Sequence, residues 1–335
     1  MNGRTLALLA IAALCVVAGG AYVAVATLNA GDTTTDARPR VVVDDRGAAA
    51  VGPGSELLVR AVDPDHPRLN GRAYRTEIAP GATPAAAGGL ACERVYASGA
   101  GGGLCLAVKR NGFSYEGLIF DRDFRRRARF PVPGVPDRAR VSADGRYGAF
   151  TTFLSGHTYS AGVRQFSTHT AIVDMRGGEY LLRLDELDVE RDGEPFEHAD
   201  ANFWGVTFAG GDRFYATLGT GGEHYLLEGR IGTRRARIVR DHVECPSLSP
   251  DGRRIAYKRR IGNQDRWRLH VLDLRSGRDV ALAERRSIDD QPEWLDDDHV
   301  VYSDDRSVFA VPADGGGRPQ RLIARASSPV SLGPG

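Results

Sequence analysis

The sequence has no excess of charge of either sign and almost no lysine. Its 44 basic and 43 acidic side chains leave a formal net charge of +1, and only Lys109 and Lys258 are lysines. A protein that binds nucleic acid through the phosphates presents a strongly basic face. The balanced charge therefore predicts that nucleic acid is not a partner.

Motifs for catalysis, metal binding and cofactor binding are also missing. Ser249, in the stretch CPSLSPDGRRIAYK, lacks the strand, elbow and helix pattern of a hydrolase nucleophile. The eight histidines contain no H-x-x-x-H pair, and the acidic run from Asp296 lacks the spacing of a calcium loop. The stretch GAGGG, residues 99–103, lacks the Lys-Ser/Thr pair of a phosphate loop. We therefore predict no catalytic residue, no metal and no cofactor, and a protein that is not an enzyme.

The N-terminal region contains one long apolar run, from Thr5 to Leu28, which holds 24 residues without a charge. That length predicts a transmembrane signal anchor within residues 1–29 and a single-pass protein of the cell membrane. The small-x-small pattern at Ala24 to Ala26 is also typical of signal-peptide cleavage, which would leave a secreted or periplasmic protein. Either interpretation places the remaining chain on the extracytoplasmic side.

Residues 30–54 are rich in Gly, Asp, Thr, Ala, Arg and Pro and show no apolar periodicity. Such a segment buries too little apolar surface to fix its own conformation. It is predicted to be a flexible linker between the anchor and a domain that spans residues 55–335.

A hairpin pattern recurs along that domain with a period of about 40 residues. Asp-Gly or a related pair lies between alternating apolar runs, as at Asp144 and Asp251, and this is a strong signal for a tight β-turn. Two further apolar runs follow each hairpin. Four strands per repeat are typical of a β-propeller blade.

Five full repeats extend from Cys92 to about Ala326. The run Glu56 to Pro80 resembles a blade without its first strand, and the C-terminal SPVSLGPG resembles a lone first strand. A ring closed by both termini explains both incomplete pieces and leaves no exposed sheet edge. We predict an all-β fold with six four-stranded blades; seven blades and an open β-sandwich are the alternatives.

The stretch CPSLSPDGRRIAYK, followed by LHVLDLRSG, resembles the blade motif of the TolB-like propellers, a WD-repeat-like extracytoplasmic family. NFWGVTFAGGDRFYATL and SIDDQPEWLDDDHVVY resemble membrane-anchored bacterial members of that group. The resemblance covers residues from about 90 onward and implies a scaffold or binding module of the cell envelope. TolB itself carries a separate N-terminal α/β domain, where we predict an apolar anchor for this chain, so membership of the TolB envelope complex is not expected.

Loop length predicts which face of the propeller binds a ligand. The long insertions begin near Leu154, Asp185, Arg260 and Glu284, and all of them connect a second to a third strand or one blade to the next. These connections share one face, which we call the loop-rich face, and loops on a rigid scaffold are the usual place for recognition. The predicted ligand is an envelope protein, a peptide or an envelope glycan. The candidate binding residues are His157, Tyr159, Asn202, Trp204, Arg266, Trp267, Asp289, Asp290 and Trp294.

Two alternatives to a binding module stay open at this level. One is a purely structural spacer, whose loop-rich face would hold no coherent pocket or patch. The other is a propeller enzyme, such as a lyase or a glycan-active enzyme, which would carry acidic and His residues at the mouth of the channel. A close pair of carboxyl groups with raised pKa values would indicate it.

Cys92 and Cys105 flank the GAGGG turn on strands that should pair, and they form either a disulfide or two buried thiols.

Overall fold

The structure is a computed structural model that describes residues 41–52, 54–155, 166–262, 265–304 and 306–334. These residues form six antiparallel sheets arranged as the blades of one propeller, which confirms the predicted all-β, six-bladed fold. The predicted N-terminal helix within residues 1–29 lies outside the described residues. Among the residues that are described, no helix combines the length and apolar character that a membrane span needs.

The regular elements follow one another as the repeat predicts, with a short helix and an extra hairpin added. In chain order they are β1 (Val42–Val43), α1 (Asp45–Val51), β2 (Ser55–Ala61), β3 (Arg72–Glu77), β4 (Ala85–Ala91), β5 (Arg94–Ala97), β6 (Gly103–Val108), β7 (Tyr115–Phe120), β8 (Arg126–Val132), β9 (Val135–Val141), β10 (Tyr147–Ser155), β11 (Ser167–Asp174), β12 (Tyr180–Arg183), a 3-10 helix (Leu184–Glu186), β13 (Asp188–Arg191), β14 (Glu194–Pro195), β15 (Asn202–Phe208), β16 (Arg213–Thr220), β17 (Glu223–Arg230), β18 (Arg235–Asp241), β19 (Glu244–Leu248), β20 (Arg254–Arg260), β21 (Trp267–Asp273), β22 (Asp279–Ala281), β23 (Glu293–Trp294), β24 (His299–Asp304), β25 (Ser307–Pro312), β26 (Gln320–Ala324) and β27 (Ala326–Pro334).

Both ends of the propeller domain build the first blade. Its innermost strand, β27, pairs with β2, and then β3 and β4 follow outward. The pairing aligns Leu58 with Val330 and Ala61 with Ala326. The other blades begin with β5, β9, β15, β19 and β23, and each adds its next strands outward from the axis. Pairing of the two ends removes the open edge that an incomplete first blade would leave.

The repeated turn explains the serine at its start. The backbone N–H of Arg254 donates to Ser249 Oγ at 2.9 Å, and that hydroxyl in turn donates to the carboxylate of Asp251. Gly252 has φ +69°, a value that favours glycine. In the blade that begins with β9, Ser142 Oγ accepts from the backbone N–H of Tyr147 in the same way. Ser249 is therefore a structural residue of a hairpin.

Part of the predicted flexible linker is ordered, so that prediction is wrong for the described residues from Val41 to Gly52. Strand β1 pairs antiparallel with β26 and becomes a fifth, outermost strand of the last blade. Asp44 caps helix α1 by accepting from the backbone N–H groups of residues 46 and 47 at 3.1 and 3.2 Å. The apolar side chains of Val41, Val43 and Ala48 are buried against the blade. The consecutive valines at residues 41–43 supply this apolar surface, which the average composition of residues 30–54 does not reveal.

The cysteines occupy two environments. Cys92 and Cys105 form a disulfide that ties the connection between the first two blades to β6, with 5.4 Å between their Cα atoms. Cys245 is a free, fully buried thiol, and burial raises its pKa. It remains a small apolar side chain in the interior rather than a nucleophile.

Candidate functional site

The three tryptophans do not lie on the loop-rich face, where Trp204, Trp267 and Trp294 were predicted to bind a ligand. All three are almost completely buried between blades. Trp267 Nε1 donates to Glu244 Oε1 at 2.9 Å, and Trp294 Nε1 donates to the carbonyl oxygen of Ser247 at 2.9 Å. Large rings in strands near the axis fill the gap between neighbouring sheets. The structure corrects these three assignments to core residues.

The other candidates divide into four groups. Asn202 is buried, and its amide oxygen accepts from the backbone N–H of Thr168 at 3.0 Å, so it joins two blades. Arg266 is exposed in the connection between β20 and β21. Asp289 and Asp290 lie at the propeller axis. His157 and Tyr159 fall outside the described residues.

The axis is filled by charged side chains, which sequence reasoning did not identify as a group. Arg138 donates to Asp137 Oδ1 at 2.7 Å, and Arg140 donates to the carbonyl oxygen of Pro292 at 2.9 Å and forms an ion pair with Glu293. These arginines extend from β9 to the connection that precedes β23. The network therefore links blades on opposite sides of the channel.

Gln291 crosses the same axis. Its amide nitrogen donates to the carbonyl oxygens of Val206 and Pro246 at 3.4 and 3.3 Å, in the blades that begin with β15 and β19. The space left at this point is a cavity of only about 30 Å³. That volume is about one water molecule. At this point the described side chains leave space for little more than one water molecule.

A buried charge cluster adjoins this plug. The ammonium group of Lys258 is fully buried, forms an ion pair with Asp289 and lies 4.0 Å from Glu244 Oε2. It also lies 4.6 Å from the centre of the Trp267 ring, within the range of a cation–π contact. His224 Nδ1 is 3.1 Å from Glu244 Oε1. One cation therefore serves two carboxylates in a water-poor site.

Burial and neighbouring charge set the protonation of this cluster. Burial raises the pKa of Glu244, although Lys258 and the Trp267 hydrogen bond act against it. Burial would raise the pKa of Asp289 too, but Lys258 and Arg138 outweigh it and the pKa is lowered. Burial would lower the pKa of Lys258, but the neighbouring carboxylates of Asp289 and Glu244 raise it. The cluster therefore holds a permanent ammonium group and a firmly ionised Asp289.

His224 gives the domain a pH-dependent stability. Burial, followed by the charges of Arg260 and Lys258, lowers its pKa from 6.5 to about 3. Below pH 6.5, His224 binds a proton in the unfolded chain but stays neutral in the folded chain. The free energy of unfolding therefore falls as pH falls from 6.5 towards 3. We expect the His224 contribution to be about 2 kcal/mol smaller at pH 5 than at pH 7.

Urea unfolding of the wild type and of His224→Gln at both pH values measures this difference. The glutamine variant should lose about 2 kcal/mol less than the wild type on acidification. His66→Gln, at a half-exposed histidine, is the matched control for the histidine-to-glutamine exchange itself. Equal slopes for wild type and His224→Gln would contradict a buried neutral imidazole.

A groove of about 610 Å³ runs along the outer side of the blade that begins with β15 and reaches the loop-rich face at Phe203 and Leu218. Its other end, at Asp188 and Arg235, adjoins the turn between β17 and β18. The insertion after β12 builds it: β13 pairs in parallel with β18, and β14 folds back on β13. The floor is apolar and includes Val189, Phe203 and Leu218. The Phe196 ring forms one wall and packs on Tyr225, with 5.5 Å between ring centres.

The lining of the groove is acidic. Four carboxylates face one guanidinium, that of Arg235, so the formal charge of the lining is −3 with neutral histidine. Three of the four make no ion pair within the described part of the chain, although ion pairs are frequent elsewhere on this blade. Those three are Asp188, Glu190 and Glu197. An apolar floor with such carboxylates around it fits a ligand that carries both cationic and apolar groups.

The sequence contained part of this information. The insertion from Asp185 was identified as a long connection on the loop-rich face, but the hairpin inside it was not. The alternation in DVERDGEPF, with Asp-Gly at residues 192 and 193, is a hairpin signal. The axial cluster was less evident in the sequence. Its one indication was that Lys258 continues the apolar run IAY within a predicted strand of the propeller.

A ring of six sheets defines the chain as a six-bladed β-propeller. Each sheet is built on four antiparallel strands, and the pairing of β27 with β2 closes the ring. No protein-family model matches the sequence, and no curated protein is significantly similar to it. Among solved structures the chain is similar to TolB from Acinetobacter baumannii, with a TM-score of 0.58 and 14% sequence identity. The match covers 83% of this chain and 66% of that one, so this chain spans just under two thirds of that TolB.

A second solved structure, the putative TolB from Agrobacterium tumefaciens, has a TM-score of 0.46 and 11% identity. That match covers 82% of this chain and 91% of the other. Identities this low concern the fold alone, because one fold serves many functions. The chain thus shares the β-propeller fold of the first of these structures, as the blade motif implied.

Proposed function

We propose that this chain is a membrane-tethered, extracytoplasmic propeller scaffold that binds a cationic segment of an envelope protein or peptide in the groove on its loop-rich face. The observation that carries the proposal is the groove itself, which combines an apolar floor with three carboxylates that have no ion-pair partner in the described chain. The tether and the extracytoplasmic location rest on the apolar run from Thr5 to Leu28. The Cys92–Cys105 disulfide is in keeping with an oxidising compartment.

A peptide fits the groove better than a glycan does. Sugar rings are commonly held on exposed aromatic platforms, yet all three tryptophans of the chain are buried. The groove instead offers isolated carboxylates and apolar pockets, which match alternating basic and apolar side chains of an extended segment. Long-range attraction between the acidic lining and a basic segment would also speed association.

The alternative of a propeller enzyme receives less support. Its indicator was a pair of carboxyl groups with raised pKa values at the channel. Among the described carboxyl groups with a resolved shift, Glu244 alone has a raised pKa, and its neighbour Asp289 has a lowered one. Both are tied to Lys258, in a channel that side chains fill. Binding is therefore the function that we propose.

The groove proposal predicts charge-selective binding. A fluorescein-labelled eight-residue peptide with alternating Arg and Leu is expected to bind the full chain in detergent, measured by fluorescence anisotropy at low salt. The same peptide with Glu in place of Arg should not bind. Replacement of Asp188→Asn, Glu190→Gln and Glu197→Gln together should weaken binding of the basic peptide about tenfold or more.

The matched control removes three exposed carboxylates from the opposite face, with Glu77→Gln, Asp123→Asn and Glu179→Gln. These residues are exposed at or beside the connections between third and fourth strands. The control has the same net charge as the groove variant, so it separates local contacts from overall charge. Equal weakening by both triple variants, or equal affinity for the two peptides, would count against the groove.

A further inference from the structure

The exposed large apolar side chains of the described residues share one face. Each lies at a strand end or in a connection on the loop-rich side, and the opposite face has none among the described residues. Scattered single residues of this kind are normal on a protein surface, but a one-sided distribution indicates a contact surface. The side chains are Val42, Val108, Phe113, Val135, Leu154 and Ile261.

Four of the six cluster on the two neighbouring blades that begin with β5 and β9. Val135 pairs with Phe153 across β9 and β10, and the side chain of Leu154 reaches the adjoining Gly134. Val108 ends β6, and Phe113 lies at the tip of the turn that follows it. We call Val108, Phe113, Val135 and Leu154 the apolar rim.

The turn that carries Phe113 is firmly built. The side-chain oxygen of Asn111 accepts from the backbone N–H groups of Phe113 and Ser114 at 3.1 and 3.2 Å. Lys109 N–H donates to the carbonyl oxygen of Ser114 at 2.7 Å and closes the turn. Phe113 is nevertheless 94% exposed. The turn therefore keeps an aromatic ring exposed to water. Exposure of this apolar surface is unfavourable in free energy, and the ring does not pack into the core.

The charges on the Phe113 turn are cationic. Lys109, one of the two lysines of the chain, and Arg110 begin that turn, and residues 109–115 contain no Asp or Glu. The next residue, Glu116, is half-buried and pairs with Ala107. These cations contrast with the acidic groove, which reaches the same face. Cations around a projecting aromatic ring are typical of contact with an anionic lipid surface.

We propose that the apolar rim rests on an anionic phospholipid bilayer. Phe113 enters the boundary between headgroups and acyl chains, and Lys109 and Arg110 contact anionic headgroups. This proposal rests on the tether of the proposed function and otherwise only on residues of the apolar rim and of the Phe113 turn. Strand β1 begins at the loop-rich edge, because Val42 pairs with Ala324 at the end of β26. The twelve residues from Asn29 to Arg40 span at most about 40 Å, so the proposed tether keeps a bilayer within reach of the rim.

Brominated lipids, which quench tryptophan at close range, test the proposal. Phe113→Trp, the rim variant, places the one exposed tryptophan of the described chain at the rim, because the three native tryptophans are buried. The matched control is Arg122→Trp, which changes an exposed position of the same blade on the opposite face. Both full-length variants are reconstituted into vesicles that contain brominated lipid, with either anionic or neutral headgroups.

The introduced tryptophan of the rim variant is expected to be quenched, and that of the control variant to resemble the native background. Loss of the two cationic contacts in neutral vesicles should shift the docking equilibrium by about 10- to 30-fold, so that quenching in the rim variant falls. Addition of Lys109→Gln and Arg110→Gln to the rim variant should have the same effect in anionic vesicles. Equal quenching in the rim and control variants would overturn the proposal and leave the rim as a site for a protein partner.

Flotation of the vesicles separates the rim from the tether. A chain that floats in high salt is held by its apolar N-terminal segment, since salt screens the attraction of headgroups. Flotation in high salt without quenching in the rim variant refutes the rim and leaves the tether intact. Flotation only in low salt, with quenching, supports the rim and refutes the tether. A chain that never floats refutes both.

Discussion

Replacement of Lys258 by methionine is expected to lower the free energy of unfolding by about 3–5 kcal/mol. The ammonium group is fully buried and is the cation nearest to both Glu244 and Asp289. Its removal leaves those two carboxylates without their shared counter-charge in a water-poor site. Methionine fills a similar volume, so the loss comes from charge rather than from a cavity.

Urea denaturation of the purified chain measures this loss, and the second lysine provides the control. Lys109→Met, on the surface, should change stability by less than about 0.5 kcal/mol. Addition of Glu244→Gln to the Lys258→Met variant should recover part of the loss, because one of the two stranded charges is then absent. A Lys258→Met variant as stable as the wild type would show that the cluster does not hold the propeller together.

Removal of residues 326–335 is expected to abolish cooperative unfolding. Strand β27 is the innermost strand of the first blade, and Val330 is buried against Leu58. Without it, β2 presents an unpaired edge, and its buried residues Leu57, Leu58 and Val59 face solvent. A sheet edge with exposed apolar side chains promotes aggregation.

Circular dichroism during heating and size-exclusion chromatography test this expectation. The control replaces residues 191–195 by Gly-Gly, which shortens the β13–β14 hairpin outside the ring and should leave a monomeric protein with a cooperative transition. A synthetic peptide of residues 326–335, supplied at high concentration, should restore folding of the truncated chain in part. A truncated chain that unfolds like the wild type would mean that the ring is stable while open.

The architecture was predictable because the repeat is local. Asp-Gly turns, such as the one at Asp251 and Gly252, specify hairpins from a few neighbouring residues, and the spacing of those hairpins specifies blades. The incomplete ends predicted the closure, although Leu58 and Val330 are far apart in the sequence. The ordered segment from Val41 to Gly52 was missed, because its few apolar residues matter only once β26 offers an edge.

The candidate site was less predictable because burial depends on the whole ring. Trp204, Trp267 and Trp294 lie near long connections, yet their rings point between blades. Lys258 and Glu244 pair across two strands of one blade, whereas Asp289 lies in the connection to the next blade, and no short motif relates the three. The acidic character of the insertion after Asp185 was visible in the sequence. The sequence could not show that β13 pairs with β18 in parallel and so encloses a groove.

The pairing of β2 with β27 also affects how the protein is made. Strand β2 leaves the ribosome well before β27, so the first blade cannot be completed until the strands of the other five blades have been synthesised. Until then β2 presents an unpaired edge. A chain that is interrupted before β27 leaves that edge accessible to proteases, whereas a chain that includes β27 covers it. Ring closure thereby distinguishes chains that carry β27 from fragments that lack it.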